Sequence, residues 1–210
     1  MKKQLTLLLT GTALFLGGMQ FSHSLNASQE PATPEMSPEE MQAMMMKMME
    51  SAQPGEPHKK LTSFAGEWTT KIKIRMGGPD SPWEHHTGHS KIQSALGGRY
   101  AIEKFTAELG MMGKMEGLLI LGYNNLTGEY ESIWMDNMST WAQHATGVVN
   151  EEGATELKGK MRDVITPEGR PYRHVTHPID EDHYITKMYD TIPPVGDIQV
   201  MEIEYTRVKE

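Results

Sequence analysis

The sequence predicts an all-β protein, an antiparallel up-and-down barrel of about ten strands that follows one short Met-rich helix. Apolar and polar residues alternate with a period of two along much of the chain after residue 58. Turn-forming residues separate these runs at fairly regular intervals, and no helical stretch intervenes. Consecutive hairpins of this kind form a meander, and closing the sheet protects its edges. The predicted turns lie at residues 77–80, 97–98, 110–113, 124–128, 136–139, 150–153, 166–171, 180–182 and 193–197.

The first strand has the clearest alternation. Trp68, Thr70, Ile72, Ile74 and Met76 occupy one parity, and charged or polar residues occupy the other. This pattern is typical of an antiparallel strand with one face on the core and one in water. Parallel βαβ units are excluded because they need a crossover helix between strands.

Composition removes several classes of function. The chain has 210 residues and no Cys, which excludes disulfides, thiolate metal sites and a Cys nucleophile. Its formal net charge is −8, and its Lys and Arg residues are scattered, so we expect no nucleic-acid partner. The oligomeric state is left open.

The N-terminus has the order of a secretory signal peptide over residues 1–27. Lys2 and Lys3 precede an apolar run from Leu5 to Leu16, and small residues follow, with cleavage predicted after Ser24 or Ala27. An uncleaved membrane anchor is the alternative. We expect an exported protein, periplasmic or extracellular, with no integral membrane segment after cleavage. Residues 28–57 are then a linker and the Met-rich helix, and residues 58–210 form the barrel domain.

A helix start is predicted at Ser37, because Pro38 and Glu40 complete a capping box. The helix is predicted to end near Ala52, and its methionines fall on one face at helical spacing. Such a stripe suits burial, and we expect it to cover the outside of the strand at residues 117–122, which is apolar on both parities. Thioethers are also soft ligands, so Cu(I) binding is the alternative.

Six short motifs in order along residues 58–209 resemble the domain of unknown function 1579 family, a group of mostly bacterial, often exported proteins. Each motif is weak alone, and together they are specific. They are Leu61 with Gly66-Glu67-Trp68, Gly97-Gly98-Arg99-Tyr100, Glu116-Gly117 with Gly122-Tyr123-Asn124, Trp134-Met135-Asp136-Asn137-Met138, Lys187-Met188-Tyr189, and residues 201–207.

The resemblance implies a calycin-type barrel, akin to lipocalins and nitrobindin-like proteins, in which Trp68 plugs one end. It implies no activity, because the family has none agreed. Haem binding in the nitrobindin-like relatives depends on an axial His, and no His of this chain can be matched to it.

A barrel could bring several polar and aromatic side chains together in a cavity with apolar walls. A buried polar network that holds the barrel together is the other reading of the same residues. We also expect an interior ion pair between Glu202 and Arg99, since an acid on an inner face needs a partner. The candidate cavity residues are Trp68, Arg99, Tyr123, Trp134, Asp136, His144, Glu202 and Tyr205.

No metal, cofactor or catalytic residue is predicted. In a strand, His85 and His89 would stand about 13 Å apart, too far to share an ion. No nucleophile elbow, zinc-protease or phosphate-loop motif is present, although a carboxylate pair for glycoside hydrolysis is invisible in sequence. The leading hypothesis is a non-catalytic exported barrel that binds a small, partly apolar molecule. The alternatives are a filled barrel that acts as an envelope interaction protein, a Cu or haem protein, and an enzyme.

Overall fold

A computed structural model describes residues 36–76, 78–164, 166–192 and 194–209 of the chain. The predicted signal peptide at residues 1–27 lies outside the described residues. Within these ranges two helices precede ten strands, and a short 3-10 turn at Gly110–Met112 separates the third strand from the fourth. The elements are α1 (Pro38–Ser51), α2 (Glu56–Ser63), β1 (Gly66–Ile74), β2 (Glu84–Ala95), β3 (Tyr100–Glu108), β4 (Lys114–Asn124), β5 (Glu129–Asp136), β6 (Gln143–Val149), β7 (Thr155–Met161), β8 (Arg170–Pro178), β9 (His183–Ile192) and β10 (Gly196–Arg207).

The ten strands form one closed antiparallel barrel in sequence order, which confirms the predicted fold class. The first and last strands close it, with Trp68 opposite Arg207 and Ile74 opposite Met201. Every strand therefore has a hydrogen-bonded neighbour on both sides. A register shift between Gln199 and Met201 interrupts the β9–β10 ladder.

Side-chain alternation explains how the barrel fills its interior. On β1, Trp68, Thr70, Ile72 and Ile74 are buried and the residues between them are exposed, as predicted. The prediction was wrong for Met76, which lies beyond the end of β1 and is 72% exposed. The interstrand connections fall at the nine predicted turn segments. In the β2–β3 hairpin, Gly97 and Gly98 have φ angles of 66° and 85°, in the left-handed region that glycine adopts without strain.

The capping box of α1 forms as predicted. The Glu40 backbone N–H donates to Ser37 Oγ at 3.2 Å, and the Ser37 backbone N–H donates to Glu40 Oε2 at 2.8 Å. Each residue thereby satisfies a backbone donor of the other at the helix start.

The α1 methionines from Met44 to Met49 are all exposed, so the expectation that the methionine stripe covers the barrel was wrong. No residue of α1 is buried, and Met45 and Met49 are 56% and 67% exposed. Leu118 and Ile120 are half-buried on the outer face of β4, and the Cα partners of Ile120 are Ile102 and Ile133 on the adjacent strands. The apolar residues on the outer face of β4 therefore lie beside apolar residues of the neighbouring strands.

A second helix, α2, was not predicted, and it packs against β3 and β4. His58 and Leu61 are its buried residues, and the Gly55 backbone N–H donates to His58 Nδ1 at 3.0 Å. Trp68 Nε1 donates to the Phe64 carbonyl at 2.9 Å just after the helix. The helix thus seals the end of the barrel at which β1 begins, and Trp68 is anchored beneath it.

Within the described ranges, no helix has the length and apolar character needed to cross a membrane.

Candidate functional site

A cavity of about 320 Å³ lies inside the barrel. Its walls are the inward-facing rows of the strands, closed at one end by Leu61 and Phe64 of the α2 region. Most of the wall is aliphatic or aromatic, and the aliphatic part includes Ile72, Ile92, Leu119, Leu121, Leu157 and Ile203. Such a lining favours an apolar occupant, because it offers few groups that must give up water on binding.

Four aromatic rings form one connected row in the wall. Tyr184 and Tyr205 stack with centroids 4.2 Å apart and an interplanar angle of 13°. Phe105 lies between this stack and Trp134, at 6.5 Å from the Tyr205 ring and 6.1 Å from the Trp134 ring. These spacings are those of favourable aromatic pairs, so the rings hold one another in place.

Trp134 lies directly on the backbone of Gly117. A Cβ atom at residue 117 would stand 2.2 Å from the indole ring, which no side chain tolerates without displacing it. The indole Nε1 donates to Asp136 Oδ2 at 2.7 Å, and Asp136 Oδ1 accepts from the Met138 backbone N–H at 3.0 Å. Gly117 and Asp136 therefore fix the orientation of the Trp134 ring at the end of the barrel opposite α2.

Glu103 is a buried acid in the cavity wall. Ser90 Oγ donates to Glu103 Oε1 at 2.7 Å, and the Tyr205 hydroxyl also hydrogen-bonds to this carboxyl group. Burial raises the pKa of Glu103, and the two hydroxyl donors oppose that rise only in part. No ion pair to Glu103 forms within the described ranges.

His174 lines the cavity from β8, opposite Leu157 of β7 and Met188 of β9. Its Nε2 atom is buried and has no hydrogen-bond partner among the described residues. The nearest ring is that of Tyr172, with centroids 5.0 Å apart. Burial lowers the pKa of His174 from 6.5 to about 4, because the charged imidazolium would lose its hydration. The imidazole is therefore held in its neutral form.

A charged cluster joins β8, β9 and the loop between β7 and β8. Arg170 Nε and Nη2 donate to the two carboxylate oxygens of Asp190 at 2.7 and 2.8 Å. Arg170 Nη1 also pairs with Asp163. The guanidinium thus pairs with two carboxylates. Its two hydrogen bonds to Asp190 form a bidentate pair, which is a strong and directional arrangement.

The structure distributes the predicted cavity residues over three environments. Trp134, Asp136 and Tyr205 line the cavity. Trp68 is 1% exposed and packs under α2, where Arg207 lies 4.2 Å from its ring centroid. Tyr123 packs against the core beside Tyr130, with ring centroids 5.0 Å apart, and does not border the cavity.

Three further predicted residues also lie outside the cavity, so with Trp68 and Tyr123 the prediction was wrong for five of the eight residues. Glu202 lies on the outer face of β10 and pairs with Lys73 at 2.8 Å. Arg99 follows the β2–β3 turn and donates to the carbonyls of Ala52 and Leu96, so the interior Glu202–Arg99 ion pair does not exist. His144 is exposed, because its neighbours on β6 occupy the inward parity.

Sequence reasoning missed Glu103 and His174. A signal for Glu103 was present, because it shares its parity with Ala101, Phe105 and Ala107 and so interrupts an apolar face with an acid. The signal for His174 was weaker, since apolar and polar residues are mixed on both parities around it: Tyr172 and Thr176 share its parity, and Arg173 and Val175 share the other.

Metal ions in proteins are usually held by His, Cys, Asp or Glu side chains. Within the part of the chain that the structure describes, no three His, Asp or Glu side chains come together as an ion site. The chain has no Cys.

The protein is thus a ten-stranded antiparallel barrel of the calycin-like kind with a mainly apolar internal cavity. A family model described as "Protein of unknown function (DUF1579)" matches residues 53–207, and the chain belongs to this family. The resemblance seen in the sequence motifs is thereby confirmed. No curated protein sequence matches the chain.

Among solved structures, the barrel is similar to an S-type phycobiliprotein lyase, CPES, from Guillardia theta. The TM-score is 0.52 at 9% sequence identity, over 78% of this chain and 97% of the lyase chain. At this identity the likeness shows the shared fold alone.

Proposed function

We propose that this barrel binds a small, mainly apolar molecule in its interior. The observation that carries the proposal is the cavity of about 320 Å³ with predominantly apolar walls. Protein interiors are normally packed to the density of organic crystals, and empty space in them costs stability. A barrel selected for stability alone would fill this space with side chains, which argues against the filled-barrel alternative.

The polar groups of the wall support a binding role as well. Glu103, Asp136 and His174 are set into an otherwise apolar lining. A few polar groups in an apolar wall orient a ligand without making the site hydrophilic. The phycobiliprotein lyase supports only the fold, so its substrate is not carried over to this protein.

Binding is tested by titrating the protein with 1-dodecanol and following its tryptophan fluorescence, to which Trp134 in the cavity wall contributes. The variant Ala101→Phe adds a ring to the buried, cavity-lining Ala101 and should weaken dodecanol binding at least about tenfold, because the space is filled. The matched control His144→Phe adds the same ring on the outer face and should bind as the wild type does.

Circular dichroism of both variants checks that the barrel is intact. The proposal fails if the folded wild type binds no dodecanol, or if Ala101→Phe binds it as tightly as His144→Phe does. Native mass spectrometry of the protein purified from its source organism should in addition show a bound mass that denaturation releases.

We further propose that the protein acts outside the cytoplasm, on the basis of the signal-like residues 1–27. N-terminal sequencing of the protein from an envelope or culture-medium fraction should give a start at residue 25 or 28, the positions that follow Ser24 and Ala27. An intact N-terminus in the cytoplasmic fraction would contradict export.

A further inference from the structure

We infer that the preferred ligand of the cavity carries a protonated amine, which pairs with Glu103 inside the barrel. This inference rests on the proposed binding function and names the class of molecule: an apolar body with a cationic nitrogen.

The first argument is the surroundings of Glu103. This side chain is buried in the cavity wall, and the groups that bond to it are the hydroxyls of Ser90 and Tyr205. Neither hydroxyl brings a charge. A carboxylate taken out of water without a cation is costly, and one cation with good geometry removes most of that cost. Burial therefore penalises the carboxylate form of Glu103, and an ammonium group in the cavity removes most of that penalty.

The second argument is that no Lys or Arg among the described residues is buried in the interior of the cavity wall. Among the described residues that line it, Lys60 is the one Lys or Arg, and it is exposed on α2. Arg170 is committed to Asp190 and Asp163. A ligand carboxylate would bring a second negative charge into the cavity and find no interior partner for it.

The remaining titratable groups in the interior of the wall supply no positive charge either. Asp136 accepts hydrogen bonds from Trp134 and Met138 and forms no ion pair within the described ranges. His174 is held neutral by burial. Tyr130, Tyr172, Tyr184 and Tyr205 complete the set, and burial raises the pKa of each. The net charge of −8 also attracts cations toward the protein.

The pairing has a proton signature. Burial raises the pKa of Glu103, which favours its neutral form in the empty cavity. An ammonium beside it favours the carboxylate, so at a pH where Glu103 is still protonated in the empty cavity, binding of the amine should release a proton to the solvent. An uncharged ligand leaves the carboxyl group neutral and releases none.

The test uses three ligands with the same twelve-carbon tail, 1-dodecylamine, 1-dodecanol and dodecanoic acid, each below the concentration at which it forms micelles. Calorimetry of the full-length protein measures each Kd at several pH values between about 4.5 and 7, in two buffers of different ionisation enthalpy to count the protons released at each pH. We expect dodecylamine to bind at least about tenfold more tightly than dodecanoic acid and to release a proton.

The variant Glu103→Gln keeps the size of the side chain and removes its charge. It should lose both the amine preference and the proton release while it still binds dodecanol, which shows that the cavity is intact. The matched control Glu67→Gln changes an exposed acid on the outer face of β1 and should retain the amine preference.

Two outcomes would overturn the inference while the proposed binding function stands. In the first, dodecanol binds but dodecylamine binds no more tightly than dodecanoic acid. In the second, Glu103→Gln retains the full amine preference. If none of the three ligands binds the folded protein, the proposed binding function itself has failed.

Discussion

His174 and Glu103 are two ionisable residues that lie on opposite sides of the barrel. Burial favours the neutral form of each side chain. Their strands, β8 and β3, are separated by the same number of strands in either direction around the ring. Both side chains lie in the cavity wall. For the acid, burial raises the pKa, and for the base it lowers the pKa. The interior therefore disfavours charge on either residue in the absence of a partner.

The variant His174→Leu should remove an acid sensitivity of the wild type. Folded His174 has a pKa of about 4 and the unfolded chain about 6.5, so the unfolded state takes up a proton first as the pH falls. Its contribution to stability is present above about pH 6.5 and is lost as the pH falls through about 4, by up to about 3 kcal/mol. Urea unfolding at several pH values between these limits measures it.

The control for this experiment is His89→Leu, which replaces an exposed His on β2 and should keep the acid sensitivity. An unfolding free energy of His174→Leu that falls with pH as steeply as that of the wild type would contradict the assignment.

At the scale of elements, the two helices have different relations to the barrel. The eight-residue α2 buries Leu61 in the core and forms part of the cavity wall. The longer α1 has a well-formed cap and no buried residue. Periodicity alone predicts that α1 is the packed helix, because its methionine stripe is the more visible pattern. In the structure it is α2 that has buried residues, and α2 is therefore the helix that packs on the barrel.

Leu61→Ala should lower the unfolding free energy by about 2 kcal/mol or more, the usual cost of deleting a buried Leu side chain. Met45→Gln should change it by less than about 0.5 kcal/mol, because Met45 is exposed and Gln has a similar helix propensity. Chemical denaturation of the two variants compares them directly. A loss for Met45→Gln as large as that for Leu61→Ala would show that α1 does pack on a folded surface.

At the scale of the whole molecule, closure decides how the barrel responds to damage. The β1–β10 ladder leaves no edge strand among the ten, so each strand is bonded on both sides. The outer face adds little, since its ion pairs, such as Lys73 with Glu202, are partly solvated. Stability therefore rests on the ladders and on the packed interior around the cavity.

Lys71→Pro, in the middle of β1, should cost about 3 kcal/mol or more, because proline removes a ladder hydrogen bond that an edge strand could spare. Lys71→Ala retains the backbone N–H and should cost less than about 1 kcal/mol on this exposed position. Thermal unfolding of both variants provides the comparison. Equal stability of the two would mean that β1 behaves as an edge and that the barrel opens at this seam.

Much of the fold could be predicted because it depends on local rules. Turn residues and a period of two determine where strands start and stop, and the capping box at Ser37 and Glu40 marks the start of α1. The alternation on β10 also indicates that Glu202 faces outward, because Glu202 lies on the same polar face as Glu204. The expectation that Glu202 lies inside the barrel overlooked this pattern. The sequence by itself thus determined the strands, their turns and most of their inward faces.

Tertiary structure alone decided the cavity. The volume left inside depends on how ten rows of side chains meet across the barrel, and no local pattern records that distance. The same holds for α2, whose eight residues carry too short a pattern to show that they seal one end. The binding site is therefore a property of closure, which brings Glu103 and His174 into one interior from strands that are remote in sequence.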